Sequence, residues 1–183
     1  DILPVTISER LIEGNDLKVG ATLCALGQFR SYNKLEGGKS RLMLTVFVRE
    51  LLAAAPTQNP NSIVLSRYIC KPPVYRTTPF NREIADLLLA VNRAYNKSDY
   101  IPCIAWGRNA RFVQNLKVGD RVALSGRIQS REYVKRLSET EQVTMTAYEV
   151  SVSKLAAFDE DENFDLDGEF NLYAAPAAHG AQP

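Results

Sequence analysis

Residues 115–133, NLKVGDRVALSGRIQSREY, hold the pattern that decides the fold. After the turn at Gly119-Asp120, apolar Val122, Leu124, Gly126 and Ile128 alternate with Arg121, Ala123, Ser125, Arg127, Gln129, Arg131 and Tyr133, the period-two signature of a strand buried on one side. The alternation turns the apolar set inward and places Arg121, Arg127, Arg131 and Tyr133 on one outward face.

The same stretch occurs once before, as DLKVGATLCALGQFRS over 16–31, which matches 115–130 with identical Leu-Lys-Val-Gly and a second glycine seven residues later, Gly27 and Gly126. Upstream, DILPVTIS (1–8) matches DYIPCIAW (99–106), and downstream Leu44–Leu51 aligns with Tyr148–Leu155. Residues 1 to about 52 therefore repeat 99 to about 155, with one gap near Gly14 and a longer hairpin in the second copy. Residues 62–98 have no counterpart in the first copy. The expectation is that the numbered chain begins inside the first of two similar domains: part of a degenerate domain over 1–52, a linker over 53–61 (AAAPTQNPN), a complete domain over 62–157 and an acidic, disordered tail over 158–183.

Five β-type segments are legible in the complete copy: Ile63–Cys70, closed by Pro72-Pro73; Ile84–Asn92; Tyr100–Trp106; a fourth from Gly119-Asp120; and Val143–Leu155. A helical stretch, Arg108–Leu116, precedes the fourth and brings Phe112, Val113 and Leu116 near one face. Three strands, a short helix and two long strands is the order of an OB-fold, a five-stranded Greek-key barrel, so the expected class is all-β with tandem OB-folds.

The 183 residues carry 22 Lys plus Arg and 21 Asp plus Glu, a formal charge of +1. That total conceals a strong asymmetry: +1 over residues 1–61, +7 over 62–154, and −7 beyond Lys154, where no basic residue occurs. A domain with such a basic excess attracts polyanions. The one histidine, His179, lies in a terminal Ala/Pro/Gly stretch, which argues against Ser-His-Asp and Cys-His nucleophilic machinery. Cys24, Cys70 and Cys103 are too scattered for a metal or redox pair and read as buried thiols. With no long apolar run and no signal-like start, the expected location is the cytoplasm, in association with the nucleoid. No enzyme activity, metal or cofactor is expected.

An outward Arg/Tyr face suits sequence-tolerant binding of a single strand, because guanidinium groups pair with phosphates and stack on bases. On the third segment Tyr100, Pro102, Ile104 and Trp106 share parity, which leaves open whether Trp106 is a stacking platform or core. Tyr95 sits in a polar turn, where burial is less plausible. Arg93, Lys97, Lys135 and Arg136 fall in turns and hairpin tips, and Arg76 and Arg108 complete the candidate phosphate contacts.

From Ser62 through VYRTTPFNREIADLLLAVNRAYNKSDYIPCIAWGR to KVGDRVALSGRIQSREY and AYEVSVSKL, the chain resembles the bacterial single-stranded DNA-binding protein family. The resemblance implies OB-folds that coat single-stranded DNA with little sequence preference in replication, recombination and repair, without catalysis. Its base-stacking positions fall on Tyr95, Tyr100, Trp106 and Tyr133, three of them Tyr where Trp is common. Two copies in one chain resemble the arrangement in which a homodimer presents four OB-folds. The sequence departs from the family in the loop Thr77–Asn81, which lacks the usual Gly. In the first copy Ser8, Ile2, Thr22 and Gln28 stand where Trp106, Tyr100, Arg121 and Arg127 stand in the second. Only Arg30, Tyr32 and Lys34 remain as contacts there, so the first copy is expected mainly to build the assembly.

Acidic residues interleave with Phe158, Phe164, Leu166 and Phe170 in the tail, and Phe164, Asp165, Leu166, Asp167 and Phe170 are its candidate docking residues for replication and repair proteins. Competing readings are a primosome-type adaptor whose main role is protein contact, and an RNA-binding OB module.

Overall fold

The computed structural model describes residues 1–13, 15, 17–52 and 61–158. The expected linker, apart from Asn61, and the tail docking residues Phe164, Asp165, Leu166, Asp167 and Phe170 lie outside them. In chain order the elements are β1 (Val5–Thr6), α1 (Glu9–Ile12), β2 (Cys24–Glu36), β3 (Lys39–Leu52), β4 (Ile63–Ile69), β5 (Val74–Thr77), β6 (Glu83–Arg93), β7 (Lys97–Trp106), α2 (Arg108–Val113), β8 (Arg121–Arg136) and β9 (Gln142–Phe158).

The larger sheet runs β4-β8-β9-β7-β6-β5, and an additional β4–β6 pairing closes it. Strands β7 and β9 are parallel, with α2 and β8 between them in sequence. This is the OB topology, in which five strands close the barrel. The short β5 is an addition that the sequence reading lacks: Pro72 and Pro73 offer no ladder N–H, so the first strand stops there and resumes at Val74 as an edge on β6. Ile69, Leu89, Ile101, Val113, Val122, Leu124 and Val150 are fully buried, and each contributes about 1.5–3 kcal/mol by leaving water.

Helix α2 stops three residues short of the expected stretch, because the N–H groups of Asn115 and Leu116 turn back to the carbonyls of Phe112 and Val113 in tighter i→i−3 bonds. Ala110 and Val113 form its buried face, and Phe112 is exposed rather than packed. On β8, Ala123 and Ser125 are buried together with the apolar set. The outward face is therefore polar only from Arg127 onward. Cys103 is buried as expected, whereas Cys24 and Cys70 are half-buried. Burial pushes the Cys103 thiol up, above the range in which a thiolate forms.

The smaller sheet, β1-β3-β2, reproduces β7-β9-β8. The parallel pairs Val5↔Val46 and Thr6↔Phe47 correspond, residue for residue under the repeat, to Cys103↔Val150 and Ile104↔Ser151. Both antiparallel ladders slip by one residue at the repeated glycine, between Leu26 and Gly27 and between Ser125 and Gly126. A Cβ on Gly27 or Gly126 would run into the carbonyl of Phe47 or Ser151. The shared glycine thus marks a shared β-bulge.

The two copies meet through the repeat as well. Ser31 N–H donates to Asp99 Oδ1 at 2.8 Å and Tyr100 N–H donates to Ser31 Oγ at 2.7 Å. Under the repeat Ser31 corresponds to Ser130 and Asp99 to Asp1, and the Ser130 hydroxyl donates to Asp1 Oδ1 at 2.9 Å. Each copy offers the same serine and aspartate to the other, as in an isologous interface. Phe29 and Leu44 of the first copy join the core of the second. No helix among the described residues is long and apolar enough to cross a membrane.

Candidate nucleic-acid interface

Strand β7 ends at Trp106 because Gly107 follows with φ 51° and ψ −119°, a conformation closed to residues bearing a Cβ. The Gly107 N–H donates to the carbonyl of Glu83, directing the chain into α2. Glu83 fixes this corner with its side chain too: Tyr75 donates to Oε1 at 2.6 Å, and Arg111 Nη1 lies 2.9 Å from Oε2. The bond to Glu83 pushes the Tyr75 phenol up from its ordinary value.

Trp106 is 39% exposed, which answers the question its parity left open: the ring is a surface platform, with Nε1–H donating to Ser151 Oγ at 3.2 Å. Tyr100 is 42% and Tyr133 37% exposed. Tyr95 is 94% exposed at the tip of the β6–β7 hairpin, with φ 62°. A bulky residue in the left-handed region costs about 1–3 kcal/mol, so Tyr95 is there at the expense of local stability.

Trp106 borders a cleft of about 530 Å³ whose walls include Arg82, Arg127, Gln129, Arg131 and Ser151. Arg127 is exposed, whereas Arg131 is tied to the buried carboxylate of Glu149 at 3.4 Å, which Gln129 also reaches at 2.9 Å. The Arg131 guanidinium also lies 5.9 Å from the Tyr133 ring centroid. The cleft brings together an indole face and three guanidinium groups, with Asp1 at its rim.

Sequence reasoning missed Arg82. The pairing of Ile84 with Trp106 supplies the signal, since Arg82 lies two residues before Ile84 and so shares its face.

The other candidate cations are dispersed. Arg76 is held by Asp86 through Nε at 3.1 Å and Nη2 at 2.9 Å. Arg93 Nε lies 2.9 Å from Asp99 Oδ2 at the junction between the copies, away from the Trp106 cleft. Arg121 is half-buried where β8 begins, while Arg108, Lys97, Lys135 and Arg136 are exposed. Among the described residues no three His, Cys, Asp or Glu side chains cluster as metal ligands would.

Comparison with known proteins agrees with this geometry. Residues 60–156 match the model of the single-strand binding protein family. Single-stranded DNA-binding protein 1 of Staphylococcus aureus (strain COL) is 39% identical over 80 residues, 40% of this chain and 48% of the relative. Single-stranded DNA-binding protein A of Bacillus subtilis (strain 168) is 35% identical over 91 residues, 46% of this chain and 53% of the relative. The chain thus spans about half the length of the curated relatives it matches. A crystal structure of a deletion mutant of the single-stranded DNA-binding protein from Thermus aquaticus superposes with a TM-score of 0.56 at 19% identity, covering 75% of this chain and 60% of that one. With a match across more than half its length, on an OB barrel with exposed aromatics, the chain belongs to the single-strand binding protein family.

Proposed function

We propose that this protein binds single-stranded DNA without sequence preference and coats and protects it during replication, recombination and repair, with no catalytic step. The observation that carries the reading is the exposed Trp106 beside a cleft walled by Arg82, Arg127 and Arg131. Bases stack on aromatic faces for about 1–3 kcal/mol each, whatever their identity. Phosphates release counterions on meeting guanidinium groups, so affinity falls with salt. Duplex DNA keeps its bases paired and unavailable to Trp106, Tyr100, Tyr133 and Tyr95.

The wider reading is a homodimer with four OB-folds in the cytoplasm, associated with the nucleoid. Its acidic segment, through Phe164, Asp165, Leu166, Asp167 and Phe170, docks replication and repair proteins. Fluorescence anisotropy of a labelled oligo(dT), with unlabelled duplex DNA and oligo(U) as competitors, tests the central part. Unlabelled oligo(dT) displaces the probe and duplex does not; displacement by oligo(U) at equal strength would favour an RNA-binding module instead.

A further inference from the structure

The first copy carries a cleft of its own, about 370 Å³, between Thr6, Arg30, Ser31, Tyr32, Phe47 and Arg93. Under the repeat, Ser31, Tyr32 and Phe47 correspond to Ser130, Arg131 and Ser151, all of which line the Trp106 cleft. It is the equivalent place, rebuilt with other residues. Ser8 and Gln28 have replaced the indole and the outward arginine. In their stead Phe47 supplies an aromatic ring, with the Arg30 guanidinium 4.1 Å from its centroid, and Tyr32 is 52% exposed.

The positive charge has moved rather than vanished. In the slipped ladder Leu26 faces Glu50 and Gly27 faces Val48, so Arg49 is the bulged residue without a partner. A bulge re-aims its side chain, and Arg49 Nη2 donates to Gln28 Oε1 at 3.2 Å. The same oxygen accepts from Arg30 Nε at 3.2 Å and Nη2 at 2.8 Å. One neutral amide oxygen therefore joins two guanidinium groups, and Arg93 of the second copy adds a third. Partial burial, then the like charges of Arg93 and Arg49, hold Arg30 below its ordinary value, and Asp99 opposes them. Asp99 is itself engaged by Arg93 and the Ser31 N–H. Clustered guanidinium groups with so little carboxylate to answer them favour a phosphate ligand.

We propose that the first copy is a second contact site for the same single strand, in which Arg30 stacked on Phe47, together with Tyr32, takes bases, and Arg49 and Arg93 take phosphates. The strand crosses the junction from the Trp106 cleft to this one, and the copy that has lost the family's aromatic positions contributes to coverage as well as to assembly. The proposal rests on the single-strand reading above.

The test is the double variant Arg30→Ala/Arg49→Ala in the full chain, titrated with an oligo(dT) length series while Trp106 emission reports saturation. Two lost contacts make the slope of log Kobs against log salt shallower by about 1.4, at about 0.7 per phosphate on a single strand. The length covered per chain shrinks, within the roughly 4–16 nucleotides of one OB-fold, and the quenching amplitude at saturation is unchanged. Arg49→Gln alone, which leaves the Arg30–Phe47 contact standing, gives about half the change in slope. Unchanged slope and length in both variants would overturn the proposal. Tighter binding would overturn it too, by showing that these arginines serve the chain's own acidic segment. Absence of quenching in the unmodified protein would count against single-strand binding itself, a failure separable from these.

Discussion

Ser31 of the first copy donates its backbone N–H to the Asp99 carboxylate of the second at 2.8 Å, and the equivalent Ser130 donates its hydroxyl to the equivalent Asp1 at 2.9 Å. The two bonds are alike in topology and unlike in surroundings. Asp99 is 1% exposed and carries the Arg93 ion pair, whereas Asp1 is exposed. Replacing Asp99 by Ala strands a buried N–H and a half-buried guanidinium, and stability falls by about 1–3 kcal/mol. Asp1→Ala costs less than about 0.5 kcal/mol, as exposed positions do. Urea unfolding of the two variants measures the difference.

Tyr95 sets local stability against binding. Tyr95→Gly relieves the left-handed backbone at φ 62° and removes a stacking face. The melting temperature holds or rises, while affinity for oligo(dT) drops by about 1–3 kcal/mol. Thermal melts and anisotropy on the same preparation check both halves.

Gly126 and Gly27 should fail differently. Gly126→Ala drives a Cβ into the Ser151 carbonyl and costs about 1–3 kcal/mol of overpacking. Because Ser151 accepts from the Trp106 indole, the variant also shifts the intrinsic fluorescence. Gly27→Ala meets Phe47 instead and leaves the Trp106 spectrum unaltered. Emission spectra of the unliganded variants distinguish them.

Arg127 and Arg131 separate binding from stability. Arg127 is exposed, so Arg127→Ala weakens binding and lowers the salt slope by about 0.7 with stability unchanged. Arg131→Ala leaves the Glu149 carboxylate, 5% exposed, with Gln129 alone, and costs a further 1–3 kcal/mol or so of stability. Salt titrations paired with chemical unfolding read the two effects.

The repeat was the most legible part of the fold. An alignment made on Leu-Lys-Val-Gly and Pro4/Pro102 reappears as identical strand register, Val5↔Val46 against Cys103↔Val150. Parity identified the face of Trp106 but not its depth. Ile104, two residues earlier on that face, is 3% exposed and Trp106 is 39%, because the barrel ends between them, and where a barrel ends depends on all its strands. Arg82 reaches the cleft only through a hairpin pairing, and Arg49 joins Arg30 only through a bulge. Both are registers between strands, which a periodicity within one strand does not carry. Arg93, in the sequence an ordinary turn cation, is claimed by Asp99 across the β6–β7 ladder. Strand β5 was hidden by the prolines that separate it from β4.

Trp106 is the one tryptophan in the chain, so its emission reports directly on the central claim. Adding poly(dT) at low salt quenches the indole to saturation, and added salt releases the strand and restores the emission. No quenching, together with no salt-sensitive binding, would contradict the account.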